Sequence, residues 1–119
     1  MRFLCVYKPG KPEMPPAPEE MARMGKLVQE AMQEGWLLST EGCLPSAAGA
    51  RVQLSNGAFT VTDGPFAETK ELIGGFAIIR AASKEEAIER TKYFLGVAGG
   101  GETEIRQLHE APAAAPASR

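Results

Sequence analysis

The residues best suited to chemistry fall in one run, TVTDGPFAETKELIGGF, residues 60 to 76. It carries three carboxylates, Asp63, Glu68 and Glu71, with Lys70 between the last two. A carboxylate at a cleft rim acts as general acid or base when its surroundings raise its proton affinity. Two close carboxylates can share a proton or bind a hard cation through oxygen. The candidate acid or base is Asp63, with Glu68 assisting and Thr62 and Thr69 able to hydrogen-bond either. The run also reads as a turn. Asp opens turns by accepting backbone N–H groups, and Gly64-Pro65 reverses the chain. Carboxylates without a histidine do not define a metal site, and neither a metal nor a cofactor is expected.

Other residues extend the candidate site. Phe66 would anchor the turn to the core. Gly74 and Gly75 interrupt an apolar strand, which calls for a bulge or a close backbone approach. A ligand, Trp36 or a second chain could lie against that backbone. Tyr7, Lys8 and Lys11 leave the end of the first strand, where the lysines could meet an anionic ligand. Tyr7 and Trp36 would form walls of a pocket. The sole histidine, His109, ends the last strand and reads as a surface residue. Three motifs are missing. Residues 96–102 lack the Gly-Lys-Ser/Thr of a phosphate-binding loop. No Gly-x-Gly-x-x-Gly joins a strand to a helix. No serine occupies a nucleophile elbow.

The elements that must hold these residues follow from periodicity. RFLCVY at 2–7 is apolar on both faces, with Phe3, Cys5 and Tyr7 on one and Leu4 and Val6 on the other. Residues 8–18 are proline-rich and form a loop. Pro18-Glu19-Glu20 starts a helix whose apolar stripe runs through Met21, Met24, Leu27, Val28, Ala31 and Met32, and Gly35 ends it. The methionines on that stripe are expected to face the core. Residues 36–40 form a second strand. RVQLS and AFTVT flank Asn56-Gly57, the signature of a type I′ hairpin. IGGFAIIR at 73–80 is again apolar on both faces. Ser83 and Glu86 form a capping box for a second helix, and residues 102–108 form a last strand.

This order predicts an α+β fold, a ferredoxin-like split βαβ sandwich with an added hairpin. The central strands are 2–7 and 73–80, with both helices on one face. The other face keeps apolar side chains, including Trp36 or Leu37 and Phe59, and needs a cover. A second copy of the chain supplies it, so a homodimer is expected.

The 119 residues suit one domain over 1–110, with 111–119 as a disordered tail. Hydrophobic residues make up 44% and are enough for a core. The net charge is −2 with scattered lysines and arginines, so no nucleic-acid partner is expected. No apolar stretch approaches the roughly 20 residues of a membrane span. Cys5 and Cys43 fit no metal or redox motif, and two unpaired thiols suit the cytoplasm.

Three stretches carry a family resemblance: GWLLSTEGCL at 35–44, RVQLSNGAFTVTDGPFAETKELIGGF at 51–76 and SKEEAIE at 83–89. With the first strand they make the chain resemble the YCII-related family, in its DGPF-domain branch. That resemblance implies a domain of the dimeric α/β-barrel type. In the wider superfamily it implies a His-Asp acid–base pair, and Asp63 matches the acidic position. The expected histidine is missing from the first loop and helix. The resemblance also implies a link to extracytoplasmic-function sigma factors. Two functions are therefore open. One is a small dimeric, enzyme-like domain that binds a small organic ligand with Asp63 as acid or base. The other is a non-catalytic ligand-sensing or protein-interaction module.

Overall fold

Two strands that are apolar on both faces organise the molecule. The computed structural model describes residues 1–10, 17–66 and 73–110. In chain order its elements are β1 (Arg2–Lys8), α1 (Pro18–Glu34), β2 (Leu37–Gly42), β3 (Ala50–Ser55), β4 (Ala58–Asp63), β5 (Gly75–Arg80), α2 (Lys84–Ala98) and β6 (Glu102–Gln107). The main sheet has the order β2-β5-β1-β6 and is antiparallel throughout. The expected ferredoxin-like plan is therefore present, with β1 and β5 central. The expected tail, residues 111–119, lies outside the described residues.

Both helices pack on one face. The buried core joins Phe3, Cys5, Leu37 and Ile79 of the sheet to Leu27 and Ala31 of α1 and Ala87 of α2. Helix α1 starts at Pro18, with the Glu20 carboxylate accepting the Ala17 N–H at 3.0 Å, and ends at Gly35 with φ 88°. Ser83 caps α2 by accepting the Glu86 N–H at 3.1 Å. The returning half of the box is shifted by one residue, because Glu86 takes the Ala82 N–H at 2.7 Å.

The helix-facing side of the sheet is graded in size. Its first row is Leu37–Ile79–Phe3, its second Thr40–Ala77–Cys5 and its third Gly42–Gly75–Tyr7. Large side chains meet the helices in the first row. The β2 and β5 positions shrink to Gly42 and Gly75 in the third.

Two expectations need correction. Leu37 is buried beside Ile79 on the helix side, and Trp36 precedes β2 and packs against Arg90. A register shift between Leu37 and Ser39 changes the phase of β2. Alternation in β1 and β5 therefore leaves Leu4, Val6, Phe76 and Ile78, all half-buried, on the face that no described helix covers. Phe59 belongs to the hairpin, which is a separate two-stranded sheet. The methionine stripe is also less buried than expected. Leu27 and Ala31 are buried, whereas Met21 and Met32 are 61% and 46% exposed.

The hairpin turn is as read from Asn56-Gly57, with φ of 52° and 77°. Val52 faces Val61 and Leu54 faces Phe59, so all four share one side. Each is more than 60% exposed.

Gly75 sits so close to β2 that an added Cβ would meet the Glu41 carbonyl oxygen at 2.8 Å and Gly42 Cα at 3.3 Å. Gly75→Ala is expected to destabilise the fold by about 1–3 kcal/mol, as overpacking does. Urea unfolding should show a lower midpoint at unchanged slope.

Candidate functional site

The graded sheet leaves a cleft of about 560 Å³ against the helices, whose lining runs from Leu37 and Ile79 of the first row to Gly42 and Gly75 of the third. Its floor includes Cys5, Ala77, Gly75 and Thr40, and its walls include Met21, Met24 and Val28 of α1 and Phe94 and Ala98 of α2. The physical cause is side-chain size: Ala77 and Gly75 are too small to reach α1.

Polar groups are few and mostly tied down. The Thr40 hydroxyl donates to the Phe76 carbonyl at 2.9 Å, and the Thr91 hydroxyl to that of Ala87 at 2.8 Å. The Tyr7 ring meets Phe94 edge-on at 5.1 Å, and its hydroxyl donates to the Gly100 carbonyl at 3.1 Å. Burial, and then the Glu20 carboxylate, push the Tyr7 phenol above its ordinary pKa. Burial pushes the Cys5 thiol up, with a hydrogen bond to Thr91 opposing it.

Arg90 and Thr103 differ from these. The Arg90 guanidinium lies 4.4 Å from the centre of the Trp36 ring, and its Nη2 is 3.8 Å from Glu86 Oε2. Trp36 in turn donates from Nε1 to Glu34 at 2.8 Å. Arg90 Nε and Thr103 Oγ1 are buried without hydrogen-bond partners among the described residues. Both residues line the cleft.

Of the residues singled out in the sequence, Tyr7, Trp36, Gly74 and Gly75 come together in this lining. The paired glycines mark two close approaches, Gly75 to β2 and Gly74 to the side chains of Tyr7 and Pro9. Lys8, Asp63 and Phe66 are not among the described lining residues. Lys8 pairs with Glu104 at 3.5 Å. Phe66 lies under the Arg51 guanidinium at 4.0 Å. Asp63 is exposed at the end of β4, opposite Ala50.

The backbone around Asp63 is committed elsewhere. The Gly64 N–H donates to the Gly49 carbonyl at 3.0 Å and the Phe66 N–H to Ser46 Oγ at 3.2 Å. A Cβ at Gly64 would overlap the Ser46 carbonyl. The Asp-Gly-Pro-Phe segment is thus pinned to residues 46–49. Lys11, Glu68, Thr69, Lys70 and Glu71 lie outside the described residues. His109 is exposed, and its carbonyl accepts from Arg2 at 3.2 Å. Among the described residues no three of His, Cys, Asp or Glu cluster to hold a metal ion. No described helix is long and apolar enough to cross a membrane.

Arg90, Thr103, Phe94 and Thr40 were not singled out as site residues by sequence reasoning. Arg90 left a faint signal, a charge one position before Thr91 on the apolar side of α2. Thr103 left none.

The chain belongs to the YCII-related family, whose domain model matches residues 1–108. An uncharacterised protein of Rhizobium meliloti (strain 1021) is 36% identical over 69 residues, 58% of this chain and 56% of the relative. The chain thus matches little more than half of that relative's length. A 5-chloro-2-hydroxyhydroquinone dehydrochlorinase from Burkholderia phenoliruptrix AC1100, solved with 2,5-dihydroxybenzoquinone, is similar over 93% of this chain and 96% of its own. Its identity is 15% and its TM-score 0.46.

Cys43 is exposed and Cys5 buried. An aromatic disulfide reagent is expected to titrate Cys43 at once and Cys5 only as the protein unfolds. Because Cys5 and Tyr7 are both shifted upward, the fold favours their protonated forms. That contribution is complete below the ordinary thiol value of 9.0 and is lost as pH rises through the folded values. Melting temperature should therefore fall above about pH 9, and Cys5→Ala should remove the earlier part of the fall.

Proposed function

We propose that this chain is a small-ligand-binding domain that works as a homodimer and holds one small organic molecule in each cleft. The cleft carries this reading. Its volume falls in the range of small-molecule sites, its walls are apolar, and a few polar groups converge on it. The uncovered face of Leu4, Val6, Phe76 and Ile78 supports the dimer, because a second copy covers it economically. Two free thiols support a reducing compartment such as the cytoplasm.

An acid–base role for Asp63 is a separate proposal, since a ligand in the described cleft lining does not touch it. Asp63→Asn separates the possibilities. Unchanged stability with lost ligand turnover or binding supports chemistry at Asp63. A loss on the order of 1 kcal/mol supports a structural acceptor.

One observation favours a second reading, a protein-interaction module. The hairpin presents Val52, Leu54, Phe59 and Val61 to solvent on one side. Such a patch marks a contact surface.

The cleft reading is tested with the neutral fluorescent dye N-phenylnaphthylamine. Saturable binding of one dye per chain is expected, and Ala77→Leu should weaken it by about tenfold or more by filling the floor. Absence of saturable binding, or binding indifferent to Ala77→Leu, overturns the reading. Light scattering tests the dimer: the wild type should have twice the chain mass and Val6→Glu/Ile78→Glu the mass of one chain. A dimer that survives this change lies on another surface, the hairpin being the next to test.

A further inference from the structure

Arg90 is an expensive residue to place in an apolar wall. Its Nε–H is buried with no acceptor among the described residues, and a buried donor without a partner costs stability. The nearby carboxylate does not relieve it. Glu86 spends Oε1 on the Ala82 N–H, and its Oε2 lies 3.8 Å from Arg90 Nη2, beyond ordinary hydrogen-bond range. The guanidinium lies 4.4 Å from the centre of the Trp36 ring, a cation–π contact that helps hold it in place.

The cleft is also polarised along its length. The rows from Ile79 to Gly75 extend for about 13 Å at strand rise. Arg90 packs on Trp36, which adjoins Leu37 of the first row. The carboxylate of Glu20 acts on Tyr7, in the third row. Glu41, the remaining charged residue of the lining, is exposed, and strand alternation points its side chain to the opposite face. Arg90 carries positive charge that Glu86 offsets only from 3.8 Å, whereas Glu20 brings negative charge to the Tyr7 end, so an anionic group is better placed at the Arg90 end. In the third row Thr103 also belongs to the lining, its hydroxyl oxygen buried without a partner among the described residues.

Resting on the cleft reading above, we propose that the ligand is an apolar organic anion. Its single acidic group pairs with the Arg90 guanidinium, and its apolar body lies over Ala77 and Gly75. The ligand class is set by Arg90, the one cation among the described lining residues, in a mostly apolar cleft. Charge-assisted hydrogen bonds are stronger than neutral ones, and low surrounding polarity strengthens them further.

The test compares two dyes of similar body, anilinonaphthalene sulfonate, which is anionic, and neutral N-phenylnaphthylamine. The protein is the full chain as wild type, Arg90→Met, Arg90→Lys and Ala77→Leu, each checked for native circular dichroism. Arg90→Met is expected to weaken the anionic dye by about tenfold or more and the neutral dye by less than about twofold. Arg90→Lys, which keeps the charge and loses the planar fork, should fall between. Ala77→Leu should weaken both. If the neutral dye binds the cleft but the anionic dye ignores Arg90, or both dyes weaken equally in Arg90→Met, this proposal falls and the cleft reading stands. If anionic binding survives Ala77→Leu, its site is elsewhere and the proposal falls. If neither dye binds the wild type, the cleft reading falls and takes this proposal with it. Should Arg90→Met not fold, Arg90→Lys carries the comparison, and equal affinity of both dyes for it and for wild type overturns the proposal.

Discussion

The antiparallel register of β1 against β5 is the constraint on which the rest depends. It sets Phe3 beside Ile79, Cys5 beside Ala77 and Tyr7 beside Gly75. Side-chain alternation then puts all six on the helix side. Because the β5 partners diminish in size along the strand, the helices find a well-filled surface at one end and a hollow at the other. A slip of one residue would turn these rows to the opposite face and bring Leu4, Val6, Phe76 and Ile78 under the helices. The core and the cleft are thus one packing solution. Burial of Phe3, Ile79 and Leu37 holds the helices down and keeps the hollow open.

Much of the fold was legible because its signals are local. Double-faced apolarity marked β1 and β5, Asn56-Gly57 marked the hairpin, and Pro18, Gly35 and Ser83 marked helix ends. The phase of β2 was not legible. It depends on the register shift between Leu37 and Ser39, which arises from pairing with β5 rather than from the run WLLST. The depth of the methionines was also hidden. A stripe at helical spacing shows which side of a helix is apolar, but not whether the surface opposite is Ile79 or Gly75.

The candidate site was legible in a similar, partial way. Gly74-Gly75 stood out because glycine is costly in a strand, and the structure answers with a close approach to Glu41 and an open floor beside it. Tyr7 and Trp36 were found through position and size. The carboxylate run drew attention because it is chemically rich, yet the described part of it is bonded to residues 46–49. Arg90 carries the sharper electrostatic feature. It is the one cation among the described lining residues, a placement set by the packing of α2 against Trp36 and not by a local pattern.

The hairpin has a consequence for how stability is distributed. Its six backbone pairs run from Ala50–Asp63 to Ser55–Ala58 and are separate from the ladder of the main sheet. Its apolar side chains are largely exposed, so little hydrophobic burial resists its opening. The amides of residues 50–63 can then exchange with solvent by local fraying, at a free-energy cost well below that of the core. On these contacts the hairpin is the less stably held part of the fold and the main sheet with its helices the more stable. The hairpin carries Asp63, so the geometry around that carboxylate is only as persistent as the arm beneath it.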